Sequence, residues 1–128
     1  MIHSYMPWSI PMDDQLKQLQ KLVSAFSDER DWTQFHTLKD LSIGLSTEAN
    51  ELLQLFRFKN EEECLAILKD GSKRVQDEMA DVFYYLLRMA DLYGIDLQEA
   101  LQDKMIENEK KYPIDKVKGK NLKYNEYK

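Results

Sequence analysis

Four acidic side chains form two pairs whose members are three positions apart: Glu48 with Glu51, and Glu78 with Asp81. Residues three apart are neighbours on the surface of a helix, so each pair can direct two carboxylates to one point. If the two stretches are helices that pack together, four carboxylates meet at one site. The pattern therefore predicts a binding site for a cation.

The two acidic pairs lie beside apolar helix faces. At about 100° per residue, Glu48 falls at the edge of the first face and Glu78 at the margin of the second. The faces consist of Leu41, Leu45, Leu52, Leu55 and Phe56, and of Val75, Met79, Val82 and Leu86. Carboxylates near a core repel one another unless cations or hydrogen bonds compensate. No histidine accompanies either pair, so a cation that prefers oxygen ligands, such as Mg²⁺ or Mn²⁺, fits the site. Because the pairs lie beside apolar faces, a metal site is favoured over the alternative that the acids are simply solvated at the edges of two surface helices.

The same spacing occurs in two further pairs that have simpler explanations. Asp96 follows Gly94 and opens a helical pattern, so Asp96 and Glu99 fit the capping box of a helix N-terminus. Asp28 and Asp31 lie where the first helical pattern ends, and we expect them to be solvated. Position beside an apolar face, rather than spacing, distinguishes the two central pairs.

Apolar periodicity and capping residues predict one all-α domain over residues 1–128, a bundle of four to five helices. It comprises an N-terminal arm at 1–12, a helical core at 13–112 and a basic tail at 113–128. Helices are expected at 13–30, 37–58, 63–69, 72–93 and 96–112. Asp13 or Asp14 is expected to cap the first helix, and Ser72 the helix at 72–93. The aromatic residues of the connection, Trp32 and Phe35, fit core anchors better than substrate contacts on the residues alone.

Composition restricts the class of protein. With 43% hydrophobic and 32% charged residues, and only 4 Gly and 3 Pro, the chain of 128 residues is typical of a globular helical domain. A net charge of −5 argues against nucleic-acid binding, which depends on a basic surface. The single cysteine, Cys64, excludes an internal disulfide and suits a reducing compartment. Since there is no signal-peptide pattern and no apolar run long enough to cross a membrane, a cytoplasmic protein without a membrane partner is expected.

An ordered series of motifs runs through most of the chain. It comprises Arg30-Asp31-Trp32-Thr33-Gln34-Phe35-His36-Thr37, Glu48-x-x-Glu51, Glu78-x-x-Asp81 with Tyr84-Tyr85, and Lys104-Met105 through Asn108 to Lys111-Tyr112-Pro113. The series resembles the MazG-like nucleotide pyrophosphohydrolases, in particular their short single-domain branch, which includes the dCTP pyrophosphatases. Because several motifs occur in order, this resemblance is much more specific than either acidic pair alone.

The resemblance implies an all-α bundle that assembles as a homodimer or homotetramer and uses Mg²⁺, which Mn²⁺ can replace. It implies cleavage of a nucleoside triphosphate between the α and β phosphates, in the housecleaning or pool control of deoxynucleotides such as dCTP. The products would be a nucleoside monophosphate and pyrophosphate. The residues that match the metal ligands, one of which can instead orient the attacking water, are Glu48, Glu51, Glu78 and Asp81.

Eight further residues are carried over from the resemblance as substrate-binding. Positions that line the nucleotide pocket match Trp32, His36, Tyr85 and Asn108. Phosphate contacts are expected from Lys39, Lys110 and Lys111. Phe58 stands where related enzymes often carry Trp; a phenyl ring keeps a stacking face but lacks the indole N–H, so the base preference stays open.

Two other functions are compatible with the sequence. One is a helical interaction module in which the four acids form salt bridges with residues such as Arg57, Lys73 and Arg88. The other is a nucleotide-binding sensor that keeps the pocket but does not release pyrophosphate. The complete set of four carboxylates argues against the sensor, which has little need to keep every ligand.

Overall fold

A computed structural model describes residues 14–123, 125 and 126 of the chain. Within these residues the structure is helical and contains no strand, so the predicted all-α class is confirmed. The helices are α1 (Asp14–Glu29), α2 (Leu38–Phe56), α3 (Glu61–Asp70), α4 (Ser72–Tyr93), α5 (Leu97–Lys111) and α6 (Ile114–Val117), with a 3-10 helix, η1 (Trp32–Phe35). The predicted arm at 1–12 and Asp13, one of the two expected caps of α1, lie outside the described residues, and Asp14 is the first helical residue. None of the described helices has both the length and the apolar character that a membrane span requires.

The described chain forms two compact units. Residues 14–94 contain α1 to α4, and the residues from Ile95 onward contain α5 and α6. In the first unit α4 packs along α2 and also contacts α1 and α3. Its buried apolar side chains are Leu41, Leu55, Val75, Leu87 and Ala90. Since α2 and α4 carry the acidic pairs, the packing of these two helices positions the candidate site.

Helix α2 begins one residue later than predicted, at Leu38, and ends earlier than predicted. The side chain of Thr37 caps it by accepting a hydrogen bond from the backbone N–H of Asp40 at 3.0 Å. The last helical residue is Phe56 rather than Phe58, because Phe58 has a φ of 65°, which a right-handed helix cannot contain. The next helix, α3, starts at Glu61 rather than at the predicted Glu63, because Asn60 and Glu63 form a capping box there.

Helix α4 starts without the predicted serine cap. Ser72 is the first helical residue and Gly71 is the N-cap, with no side-chain hydrogen bond. The reason is that α3 continues to Asp70, so Gly71 both ends α3 and begins α4. The predicted end of α4 at Tyr93 is confirmed, since the next residue, Gly94, adopts a left-handed conformation with φ 67°. The Asp96 cap of α5 is also confirmed, because its side chain accepts from the backbone N–H of Glu99 at 3.0 Å.

Candidate metal centre and nucleotide cavity

The four predicted acids gather where α2 packs against α4. One carboxylate oxygen from each of Glu48, Glu78 and Asp81 lies within 4.8 Å of the other two. Glu51 lies within hydrogen-bonding reach of Glu48 and Glu78, so these carboxyl groups can share a proton. This grouping, the carboxylate cluster, arises because the three-residue spacing places both members of each pair on the face where the helices meet.

The carboxylate cluster is electrostatically unfavourable without a cation. Burial, followed by the hydrogen bond and the negative charge of Glu51, raises the pKa of Glu48 to about 7. Burial and the charge of Glu51 also raise the pKa of Glu78, and the positive charge of Arg74 opposes this only weakly. Each of these shifts means that the folded chain resists holding all four groups in their ionised form.

Two buried oxygen atoms in the carboxylate cluster have no hydrogen-bond donor. They are Oε2 of Glu48 and Oε2 of Glu78, the only such side-chain atoms in the part of the chain that the structure describes. Buried carboxylate oxygens without a donor are rare unless a cation or water completes the site. An all-oxygen donor set of this kind fits Mg²⁺ or Mn²⁺.

The basic residues that an interaction module would place at the carboxylate cluster bind elsewhere. Lys73 Nζ pairs with Asp77 at 3.0 Å, and Arg88 Nη2 pairs with Asp28 at 2.9 Å. The guanidinium of Arg57 lies over the neighbouring aromatic ring, 4.5 Å from its centroid. None of the ion pairs formed among the described residues includes one of the four clustered acids. Salt bridges therefore do not account for the cluster.

A cavity of about 520 Å³ opens beside the carboxylate cluster. Carboxylates and aromatic rings share its lining, which consists of Leu22, Val23, Phe26, Trp32, Glu48, Asp81, Tyr84 and Tyr85. A mainly apolar cavity of this size with a few charged groups is typical of a small-molecule site. Of the predicted substrate-binding residues, Trp32 and Tyr85 therefore lie at the same cavity as two of the predicted metal ligands.

The aromatic side of the cavity is only partly what the sequence predicted. Phe26 meets Trp32 edge to face with centroids 5.6 Å apart, and meets Tyr84 at 6.3 Å. Trp32 is 39% exposed and Phe35 is 60% exposed, so neither is the core anchor that the residues alone favoured. The cavity residues of α1 were missed because their helical spacing was assigned entirely to the core.

Tyr85 approaches the backbone of α2 because residue 44 is a glycine. A Cβ at Gly44 would lie 2.3 Å from Cε1 of Tyr85, far inside van der Waals contact. Burial, and next the charge of Glu48, raise the pKa of Tyr85, so its phenol stays protonated beside the carboxylates. A glycine inside a long helix is unfavourable by propensity, and the close approach of the ring explains its presence.

Three other predicted substrate-binding residues of the first unit lie away from the cavity lining. His36 is half-buried, and its Nδ1 accepts a hydrogen bond from Arg88 Nε at 3.0 Å. Lys39 is exposed in the first turn of α2. Phe58 is 91% exposed. Contact between these side chains and a nucleotide stays a prediction.

The remaining predicted residues belong to α5, in the second compact unit. Asn108 is half-buried and Lys110 is exposed. Lys111 Nζ pairs with Glu107 at 3.1 Å, and this bond is the main reason why the pKa of Glu107 is lowered. Their role toward a nucleotide also stays a prediction.

Comparison with known proteins identifies relatives of the chain. The model of the MazG-like family matches residues 43–127. A protein named dCTP pyrophosphatase 1 from Bos taurus is 33% identical over 120 residues, which cover 92% of this chain and 71% of the relative. The protein of the same name from Homo sapiens is 32% identical over 121 residues, with 93% and 71% covered. The crystal structure of a pyrophosphatase from Archaeoglobus fulgidus superposes with a TM-score of 0.75 and 34% identity, covering 82% of this chain and 98% of that one.

Proposed function

This chain belongs to the MazG-like family, and we propose that it is a Mg²⁺-dependent pyrophosphohydrolase that cleaves a nucleoside triphosphate between its α and β phosphates. Its class, a nucleotide pyrophosphatase that hydrolyses phosphoanhydride bonds, follows from its family and relatives. The observation that carries the proposal is the pair of donorless buried oxygens on Glu48 and Glu78, next to a cavity with aromatic walls. A nucleoside monophosphate and pyrophosphate would be the products.

The carboxylate cluster would bring the triphosphate and the attacking water together. Glu48, Glu78 and Asp81 would hold Mg²⁺, with Mn²⁺ able to replace it. When bound, such a cation neutralises phosphate charge and makes water more acidic. Glu51 is exposed and lies beside Glu48 and Glu78, so we assign it to orient the attacking water and to accept its proton.

The cavity would bind the nucleoside. The rings of Trp32 and Phe26 offer stacking faces and exclude water, and the protonated phenol of Tyr85 offers a donor beside the phosphates. Because the relatives are named dCTP pyrophosphatases, we propose a deoxynucleoside triphosphate such as dCTP as the substrate, and pool control of deoxynucleotides as the role.

A Trp32→Ala variant should raise KM for dCTP with little change in kcat. An unchanged KM would contradict the stacking role.

Amide substitutions test the carboxylate cluster. Pyrophosphate release from dCTP and Mg²⁺ should fall about a hundredfold or more in Glu48→Gln, Glu51→Gln, Glu78→Gln and Asp81→Asn, because each change removes a charge that the reaction needs. The matched control is Asp77→Asn, an exposed acid of α4 that pairs with Lys73. Circular dichroism checks that helicity is retained. Normal turnover in any two variants would contradict the proposed mechanism, and nucleotide binding without pyrophosphate release would favour a sensor.

We also propose that the chain assembles as a homodimer or homotetramer. Large apolar side chains on α2 and α4 are more than half exposed in the single chain, namely Ile43, Leu53 and Met79. Exposed apolar surface of this kind marks protein interfaces. Size-exclusion chromatography with light scattering should give at least twice the mass of 15.2 kDa, and Met79→Lys should shift the mass downward. A monomeric wild type would contradict this assembly.

A further inference from the structure

Arg88 of α4 is a buried charged residue that neither the carboxylate cluster nor the cavity lining includes. It is 1% exposed and is the largest fully buried side chain among the described residues. Arginine is seldom buried completely unless its donors are paired. The partners of Arg88 therefore indicate its role.

The hydrogen bonds of the Arg88 guanidinium all reach the segment that leads from the end of α1 to α2. Nη2 donates to Asp28 Oδ1 and to Thr33 Oγ1, both at 2.9 Å, and Nε donates to Nδ1 of His36 at 3.0 Å. Thr33 Oγ1 in turn donates to Asp28 Oδ1 at 2.7 Å. A second residue of α4, Tyr93, donates its hydroxyl to the carbonyl oxygen of His36 at 2.9 Å. Helix α4 thus fixes this segment at three residues.

The bond between Arg88 and His36 determines which imidazole nitrogen carries the proton. A guanidinium can only donate, so Nδ1 of His36 is the acceptor and the proton of the neutral ring lies on Nε2. Burial and then the charge of Arg88 lower the pKa of His36, while the charge of Asp28 opposes this change. Protonation of Nδ1 would bring two donors and two positive charges into contact. The ring therefore stays neutral, with one donor at Nε2.

The same segment carries one wall of the cavity. Trp32 begins η1 and His36 follows its end, and their rings meet edge to face with centroids 6.4 Å apart. On α4, Asp81 precedes Arg88 by seven residues, which places both on the same side of the helix. Arg88 therefore connects the helix that supplies a clustered carboxylate to the segment that supplies the indole ring.

We propose that Arg88 is a positioning residue for nucleotide recognition: it holds His36 in the neutral Nε2–H tautomer and thereby fixes Trp32 at the cavity. The tautomer is a property of the protein without ligand. The effect on recognition rests on the proposed function. Because Arg88 does not touch the carboxylate cluster, its loss should weaken nucleotide binding rather than the chemical step.

The first test is ¹⁵N NMR of the histidine rings in the ligand-free protein, which distinguishes protonated from unprotonated ring nitrogens. The spectrum of His36→Gln assigns the signals of residue 36. The wild type should show Nε2 protonated and Nδ1 unprotonated at about pH 7, since Arg88 occupies Nδ1. In Arg88→Met the two tautomers should mix and the pKa of His36 should rise. A wild-type ring protonated at Nδ1, or a spectrum unchanged in Arg88→Met, would overturn the proposal.

The second test is the steady-state kinetics of dCTP hydrolysis. Arg88→Met keeps the length of the side chain without its donors, and KM should rise about tenfold while kcat stays within about twofold. Thr33→Val removes only one hydrogen-bond partner of Arg88 and should also raise KM. This variant replaces Arg88→Met in the test if Arg88→Met does not fold. Lys73→Met is the matched control, since it removes an exposed cation of α4.

Unchanged KM in the folded variants, or a fall in kcat at constant KM, would overturn the positioning role. A wild type without turnover would contradict the proposed function instead. In that case the NMR experiment still decides the tautomer.

Discussion

Replacing Glu48 with Gln should stabilise the metal-free protein at alkaline pH. The substitution keeps the size of the side chain and removes one charge from the carboxylate cluster. Burial and neighbouring charge raise the pKa of Glu48 from 4.5 to about 7, which corresponds to at most about 3.5 kcal/mol at about 1.4 kcal/mol per pH unit. Since the side chain is only partly buried and water screens it, we expect about 1–2 kcal/mol.

The direction of the pH dependence follows from the fact that Glu48 binds its proton more tightly in the folded state than in the unfolded state. The folded pKa of Glu48 is raised, so the stability that this group contributes is fully present below about pH 4.5 and is lost as the pH rises through about 7. The wild type without metal should therefore be less stable at about pH 8 than at about pH 5. Glu48→Gln should lose less stability over this range. Two other groups act alike in both proteins over this range: the raised pKa of Glu78 in the same direction as that of Glu48, and the lowered pKa of His36 in the opposite direction. The difference between the two proteins therefore reports Glu48.

Urea unfolding followed by circular dichroism in the presence of EDTA measures this difference. At about pH 8 the free energy of unfolding should be higher for Glu48→Gln than for the wild type by about 1–2 kcal/mol. Adding Mg²⁺ should reverse the order, because a cation at about 100 times its Kd stabilises the wild type by about 2.7 kcal/mol. A wild type that is equally stable at both pH values, together with a less stable variant, would refute the electrostatic reasoning.

Three further substitutions test local features by urea unfolding. Gly44→Ala should destabilise the fold by about 1–3 kcal/mol despite its better helix propensity, since the methyl group would meet the Tyr85 ring; a gain in stability would contradict this packing. Asn60→Ala should cost about 1 kcal/mol through loss of the capping box of α3; no loss would contradict that cap. Tyr84→Phe should cost about 1 kcal/mol, because the buried Ser27 hydroxyl donates to a backbone carbonyl and accepts from the phenol at 2.6 Å; an unchanged stability would contradict that bond.

The helical periodicity of the sequence was sufficient to place the carboxylate cluster. Glu48 and Glu78 each lie beside an apolar face, and packing α2 against α4 buries part of these faces, including Leu41 and Val75, and brings the acids together. Met79, which belongs to the predicted face of α4, stays more than half exposed in the single chain. Local capping was less predictable. Ser72 has the residue type of an N-cap, but one glycine ends α3 and begins α4, which leaves no position for a serine cap.

The connection between α1 and α2 could not be derived from periodicity. Asp28 is exposed, as expected, but it also accepts hydrogen bonds from Thr33 and Arg88, which lower its pKa and which were not predicted. The pairing joins residues 60 positions apart in the sequence, so only tertiary structure reveals it. The sequence nonetheless contained a sign that Arg88 is not an ordinary surface residue. Arg88 lies on the same face of α4 as Asp81, next to Leu87, which is buried.

The central claim is that the carboxylate cluster serves the cleavage of a nucleoside triphosphate between its α and β phosphates. The most direct measurement is ³¹P NMR of the purified protein with Mg²⁺, first with dCTP and then with other deoxynucleoside triphosphates. The water is enriched in ¹⁸O, so that the product that receives the oxygen of the attacking water can be identified. Matched reactions use Glu51→Gln and the control Asp77→Asn. The wild type and the control should give dCMP and pyrophosphate, and Glu51→Gln should give almost none. Release of inorganic phosphate with dCDP, or no product from any nucleotide by a folded wild type, would contradict the central claim.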